Sequence, residues 1–398
     1  MVIGRRELLL GAGLPLLAGC AGVPMKPAER IRVATYNVSL HDAVDNGLVR
    51  RLTAGEPAAR KAAAVIRHQR PDLLLLNEFD YDEIGAAADL FQRDFLESAS
   101  GIGDPIRYPH RYLAEVNTGL PSGLDLNGDG RAEGPQDAWG FGTHPGQYGM
   151  LVLSMFPIER SAIRSFQHFR WSQMPNAMRP RWPDGREYYS DEIWQQLRLS
   201  SKSHWDLPVD TPIGRLHFLV SHPTPPVFDG PENRNGCRNH DELRLWADYL
   251  DPVAGAYLVD DRGARGALDP KASVVIAGDL NADPLDGDAG EGLRLLHASP
   301  RLNGDFTPTS RGALEAARSQ QGNNRGQRGD PAADTGDFND EGPGNLRVDH
   351  LIPSRDLRVI DGGVFWPAPG EPWSDWITGS DHRMVWVDLA ARGPGPRA

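Results

Sequence analysis

A layered α/β fold is what these 398 residues predict, and three observations carry it. Runs rich in β-branched residues and leucine recur along the chain, an alanine-rich stretch with helical spacing joins the first two, and no internal repeat divides the sequence. Strand, helix, strand is how a sheet covered by helices begins.

The elements follow in order. "IRVATYNVSL", residues 31–40, reads as a buried strand that delivers Asn37. Residues 56–70, "EPAARKAAAVIRHQR", place apolar side chains at helical spacing, and Pro71 marks the exit. "PDLLLLNEFD", residues 71–80, is a second buried strand and delivers Glu78. Further strands are expected at 149–154, 214–222, 273–281, 347–354 and 384–389. Between them lie glycine- and proline-rich stretches, 100–147, 160–205, 224–270 and 300–345, which read as long loop insertions shaping a site. The 44 glycines and 33 prolines fit such loops better than a disordered chain, because 39% of the residues are hydrophobic and can build a core. A formal net charge of −12 provides no general attraction to nucleic acid, so a phosphate substrate must be gripped locally, by a metal or by clustered arginines.

Residues 1–20, "MVIGRRELLLGAGLPLLAGC", set Arg5 and Arg6 before an apolar run at 8–18 that is too short to span a bilayer. This is the pattern of a secretory signal. Its end, "LAGC", is similar to the lipobox of bacterial lipoproteins, which makes Cys20 the expected lipidation site, and "GRRELLL" is similar to a twin-arginine export signal. The plainer alternative is a cleaved signal with a chance cysteine. The expected product is an exported protein held by an N-terminal lipid anchor at the bacterial cell envelope, in the periplasm or on the outer surface. Residues 21–30 then form a tether, 31–391 one catalytic domain and 392–398 a tail. Cys237 would be the one remaining thiol, with no partner for an internal disulfide.

Polar residues recur where the strands end: Asn37, Glu78, His222, Asp279 with Asn281, Asp349, and Asp381 with His382. One strand closing on an acid is ordinary. Six doing so point to a shared site at one edge of the sheets, because charges that lose water there need a cation or one another. Alternate residues of a strand share a face, so Asp279 and Asn281 are expected on one wall. Carboxylates and amide oxygens suit a hard divalent ion, Mg2+ or Mn2+, and with no cysteine among them a closed zinc site is disfavoured.

In this order and spacing, "ATYNV", "LLLLNEF", "VSHPTPP", "IAGDLNADP", "LRVDHLIPS" and "GSDHRMVWVDL" resemble the endonuclease/exonuclease/phosphatase (DNase I-like) superfamily over residues 31–391. The resemblance implies a four-layer α/β sandwich, two packed mixed β-sheets flanked by helices, with the active site at the top. It also implies roles. Glu78 is the main metal carboxylate, with Asn37 beside it; Asp279 orients or deprotonates the attacking water; Asn281 donates to a phosphate oxygen. His382 is the catalytic histidine, held by a carboxylate expected to be Asp349. Asp381 joins the metal shell or holds a histidine instead. His222 is the second histidine, donating to the phosphate or protonating the leaving oxygen, and which histidine is base and which acid stays open.

Departures and weaker signals remain. His350 follows Asp349 where the family carries an aromatic residue, and is either a core substitute or an added polar group. Prolines directly after His222 suggest a rigid turn. Tyr148, in "GTHPGQYGM", is a candidate phosphate-facing tyrosine. Residues 168–186 gather Arg170, Arg179 and Arg181 with Trp171 and Trp182, and residues 229–242 carry Arg234 and Arg238; these are candidate substrate contacts, or surface loops packed on the sandwich. In "DLNGDGRAEGPQD", Asp125, Asn127 and Asp129 match the first half of a calcium loop, but Gln136 stands where a bidentate glutamate belongs; a Ca2+ site and a loop held by its own Asx turns are both open.

The expectation is a metal-dependent phosphoesterase that hydrolyses an extracytoplasmic phosphodiester or phosphomonoester by attack of activated water. The acidic balance favours a small organic phosphate or lipid headgroup over duplex DNA. A secreted DNase I-like nuclease is the alternative, and a non-catalytic binding module a further one.

Overall fold

The computed structural model describes residues 30–288 and 290–392. The expected signal segment, its lipidation site Cys20, most of the tether and the end of the tail lie outside the described residues.

The chain opens with β1 (Arg30–Leu40), α1 (Gly47–Thr53), α2 (Pro57–Gln69) and β2 (Leu73–Phe79). Glu56 caps α2, its carboxylate accepting from the Ala58 amide at 3.1 Å with Pro57 in the first turn. The helix stops at Arg70, in left-handed backbone (φ 49°) ahead of Pro71. Then come α3 (Ala86–Leu90), β3 (His110–Tyr112), β4 (Met150–Ser154), β5 (Arg164–Ser165), α4 (Asp191–Trp194), β6 (His204–Thr211) and β7 (Gly214–Ser221). The second half runs through α5 (Arg234–Tyr249), β8 (Ser273–Asp279), α6 (Gly290–His297), α7 (Arg311–Gln320), β9 (Gly336–Asp337), β10 (Asn345–Leu346), β11 (Asp349–Pro353), β12 (Leu357–Val364) and β13 (Val385–Ala391).

Two mixed sheets result, ordered β12-β13-β1-β2-β4-β3 and β11-β8-β7-β6-β5. β1 pairs β2, and β7 pairs β8, in parallel, while the other partnerships are antiparallel. Side-chain parity shows how the layers stack. Phe218 and Val220 of β7, Val275 and Ala277 of β8, and Leu351 of β11 enter the core shared with Val33 and Leu75 of the first sheet. Their neighbours Leu219, Val274, Ile276 and Ile352 enter a second core beneath α5 and α6, with Trp246 and Leu293. Continuing the first parity by two residues gives His222, Asp279 and, backwards from Leu351, Asp349. The inter-sheet face therefore turns polar at one end of the sandwich. α2 covers the outer face of the first sheet, which makes four layers.

All four of the long stretches read as loops hold some regular structure, 100–147 the three-residue β3. Residues 160–205 contain α4 and β5, 224–270 contain the 16-residue α5, and 300–345 contain α7. α5 escapes a hydrophobic count because its buried face carries Asn239, Asp241 and Glu242 beside Leu243 and Trp246. β6 escapes because Pro208 sits inside it, and β12 because it carries Gly362 and Gly363.

Candidate active site

The polar end of the inter-sheet face forms the floor of a cleft of about 880 Å3. Asp279, the last residue of β8, is at its centre. Gly278 before it admits no side chain, because a Cβ there would collide with the Ser221 carbonyl of β7. The Asp279 amide donates to Asn77 Oδ1 at 3.0 Å, and the Asn281 amide donates back to Asp279 Oδ1 at 3.0 Å. Asn281 does not continue the strand, as the alternation argument assumed. It turns at φ 50° and its side chain donates to the Pro223 carbonyl at 3.1 Å, so a turn brings it to the same wall. That bond also uses the rigid turn after His222.

Asp279 Oδ2 is the point of convergence. It accepts from Asn37 Nδ2 at 3.0 Å, and faces His222 Nε2 at 3.4 Å and His382 Nε2 at 3.7 Å. Asn37 Nδ2 also donates to Glu78 Oε1 at 3.0 Å. Glu78 owes its direction to a break in the β1–β2 register after Asn37, where Ser39 (φ 48°) and Glu78 (φ 55°) both adopt left-handed backbone. Asp349 Oδ2 holds His382 Nδ1 at 2.8 Å, as expected for the pair, and Asp349 is itself held through its amide by Thr335 Oγ1 at 2.9 Å. Asp381 is exposed on the rim; its carboxylate accepts from the Ser39 hydroxyl at 3.4 Å and its carbonyl from the Asp337 amide at 2.7 Å. It neither holds a histidine nor joins the cluster.

The environment separates the charge states of these groups. Burial works against charge on His382, but the Asp349 and Asp279 carboxylates outweigh it and raise the imidazole to about 10. His222 goes the other way, lowered by burial and by the Lys202 ammonium. Burial pushes Asp349 up to about 6. For Asp279 burial also opposes charge, yet the histidines and Asn37 hold its carboxyl well below the usual range.

Donor atoms of Glu78, His222 and Asp279 lie within 4.8 Å of one another, as do those of Asp279, Asp349 and His382. Two carboxylates, Glu78 and Asp279, meet at a single amide, and that oxygen-rich pair fits a hard divalent cation. Asp349 Oδ1 and His222 Nδ1 are buried without a hydrogen-bond partner among the described residues.

Tyr148, Arg234 and Arg238 line the cleft. Tyr148, at φ 57°, packs its ring 4.5 Å from that of His41. Arg234 is paired with Glu232, and Arg238 donates to the carbonyls of Trp139, Arg198, Leu199 and Ser200, so both act as braces. Arg170, Arg179 and Arg181 do not reach the cleft. Arg170 is exposed, Arg179 pairs with Glu187 and Asp191, and Arg181 pairs with Glu187. The Asp125 loop is closed on itself: Asp125 accepts from the amides of Gly128, Asp129 and Gly130, Asn127 from Asp129, and Asp129 from Arg131. These are Asx turns within the loop. His350 is a buried strut whose Nε2 meets the carbonyls of Ala282 and Arg347.

Two residues of the cleft carried no signal in the sequence. His41 Nε2 stands 3.4 Å from Glu78 Oε2. Lys202 is buried on the cleft wall, its ammonium without a hydrogen bond to any described residue, and burial lowers its pKa.

Residues 34–382 match the model of the "Endonuclease/Exonuclease/phosphatase family". No curated protein matches the sequence. Among solved structures, the chain is similar to an endonuclease/exonuclease/phosphatase from Beutenbergia cavernae, at 20% identity and a TM-score of 0.51, covering 93% of this chain and 73% of that one. It is also similar to sphingomyelinase C from Streptomyces griseocarneus, at 15% identity and a TM-score of 0.47, covering 90% and 99%. The catalytic domain of human Nocturnin aligns at 15% identity and 0.43, covering 91% and 93%.

Proposed function

From the premise that the chain belongs to the endonuclease/exonuclease/phosphatase family and is a hydrolase of phosphate ester bonds, we propose that it cleaves an extracytoplasmic phosphodiester or phosphomonoester with Mg2+ or Mn2+ as cofactor. The observation that carries the reading is the convergence of Asn37, His222 and His382 on Asp279 Oδ2, with Glu78 alongside. Glu78, Asp279 and Asn37 are the residues that would hold the ion, which when bound polarises the phosphoryl oxygens and offsets their developing charge.

The chain's own groups supply the rest. Asp279 orients the water that attacks phosphorus, and His222, kept neutral by burial and Lys202 and 3.4 Å from the same Asp279 oxygen, takes the proton that this water loses. Asn281 offers the phosphate an amide from the adjacent turn. His382, kept as an imidazolium by Asp349, carries the proton available for the leaving oxygen as the P–O bond breaks. The apolar run ending at Cys20 supports export and a lipid anchor at the cell envelope. The nuclease alternative needs a basic groove, and the pairing of Arg179, Arg181, Arg234 and Arg238 elsewhere, with Arg170 outside the cleft lining, speaks against it.

The test is turnover by the full chain, with Mg2+ or Mn2+, of bis(4-nitrophenyl) phosphate, 4-nitrophenyl phosphate, sphingomyelin and plasmid DNA. His382→Ala and Glu78→Ala serve as controls. If none is cleaved, or the variants cleave as well as the parent, the reading fails.

A further inference from the structure

The cleft is lined in part by large apolar side chains that stay exposed among the described residues. Phe228 is 85% exposed, Phe141 52% and Val227 38%, with Pro225 and Pro226 beside them. Three of the large exposed hydrophobic residues thus line the cleft that also holds Asp279 and His222, as its apolar wall. Isolated exposed apolar residues need no explanation, but a group of them adjoining a polar pocket does. The wall is braced: Asn235 Nδ2 donates to the Val227 carbonyl at 2.6 Å and Arg234 to the Phe228 carbonyl at 3.5 Å. Phe228 holds a left-handed backbone (φ 65°), a cost for a bulky residue that keeps its ring turned outward.

Charge narrows what this wall receives. Asp283, Asp288 and Asp381 line the same cleft, and both of its arginines are consumed by Glu232 and by backbone carbonyls. Lys202 is the one lysine or arginine in the lining without a protein partner among the described residues. A polyanion would meet the carboxylates of Asp283, Asp288 and Asp381 along the lining, whereas a single phosphate would find Lys202, the His382 imidazolium and the candidate metal site.

We propose that the cleft takes a phosphate ester bearing one hydrocarbon chain, with the phosphate at Lys202 and Asp279 and the chain laid along Phe141, Val227 and Phe228. This rests on the phosphoesterase reading for its chemistry, but the wall can be tested by binding alone.

The experiment is calorimetric titration of the full chain, with Mg2+, against monomeric n-octyl phosphate and against methyl phosphate. Octyl phosphate is expected to bind at least about tenfold more tightly, the yield of a few methylenes removed from water. In Phe228→Ala/Phe141→Ala that advantage falls below about threefold while methyl phosphate binds unchanged, since both rings are exposed and hold up no core. Equal affinity for the two phosphates, or an advantage that survives in the double variant, overturns the proposal. Hydrolysis of 4-nitrophenyl octyl phosphate is followed separately. Its absence alongside tight octyl phosphate binding sinks the hydrolase reading and leaves the hydrocarbon wall standing.

Discussion

Asp349→Asn is the sharpest single perturbation of the site. Asp349 Oδ2 lies 2.8 Å from His382 Nδ1, and both groups are buried. With the two charges centred about 4 Å apart and an effective dielectric near 20, their attraction is worth about 4 kcal/mol. Removing it lowers the His382 pKa by about 3. From about 10 in the parent, the imidazole then titrates near ~7. At pH 8.5 the parent keeps nearly all of its imidazolium, whereas the variant keeps only a few per cent, a further loss of about 30-fold relative to pH 6. Loss of ring orientation is expected to cost about 10²-fold or more at every pH. The assay is the pH dependence of kcat for bis(4-nitrophenyl) phosphate at saturating Mg2+ between pH 5.5 and 10. An alkaline limb that stays near 10 in the variant, or undiminished turnover throughout, refutes the assignment of His382 as a working imidazolium.

Further outcomes follow from other groups. Glu78→Gln is expected to lower kcat about 10³-fold and to weaken the Mn2+ signal seen by electron paramagnetic resonance, since it removes one of two carboxylates at the candidate ion site. Lys202→Met should raise the inhibition constant of inorganic phosphate by about 10-fold to 100-fold, the yield of one charge-assisted hydrogen bond, with its melting temperature near that of the parent. Asp334 is pushed up to about 8 by burial and by Asp283, Asp286 and Asp330, and its Oδ2 is buried without a hydrogen-bond partner among the described residues. Its folded pKa thus exceeds the unfolded one, so the stability tied to its proton is complete below about pH 4 and disappears as pH rises through 8. Asp334→Asn should flatten that fall and raise the melting temperature at pH 8.5, and a variant with an unchanged pH profile contradicts this. With Mg2+ already saturating, millimolar Ca2+ should shift the melting temperature of Asp125→Ala as it shifts that of the parent, because the Asp125 loop spends its oxygens on its own amides; a rise abolished by Asp125→Ala would restore the calcium reading.

Much of the fold was legible because buried strands are written locally. β2 and β8 are continuous apolar runs, and Asp279 falls on the parity of Val275 and Ala277, whereas Glu78 is off the parity of Leu75 and reaches the site only through the left-handed turn of its backbone. The convergence of Asn37, Glu78, His222, Asp279, Asp349 and His382 was legible for the same reason, since strand ends on one sandwich edge meet wherever the layers stack. The arginines were misplaced because a charge in a loop has no parity to follow. Arg179 and Arg181 find Glu187 across their own turn, and nothing in their spacing announces it. Lys202 was invisible for the converse reason: it is one lysine in "SSKSH", and only folding buries it beside Glu78 and Asp279. α5 was missed because its buried face is polar, with Asn239 donating to the carbonyls of Thr224 and Leu280 and so tying down both loops of the cleft.

The two histidines also bear on what Asp279 does. Both face the same Asp279 oxygen, yet His222 is driven neutral by burial and Lys202 while His382 is driven charged by Asp349 and Asp279. Paired groups whose surroundings push them apart mark a division of labour. A carboxylate that accepts from Asn37 and the Asn281 amide, with an imidazolium nearby, is held so firmly ionised that it is a poor base. It is, for the same reason, a well-fixed acceptor for a water hydrogen. Of the two roles open to Asp279, orientation is therefore the one its partners favour. Asp279→Asn, which keeps the shape and one acceptor oxygen, is then expected to lose activity while leaving the pKa values of the pH–rate profile governed by His382. If instead the variant abolishes an acidic limb that the parent shows, Asp279 is the base and its surroundings have been misjudged.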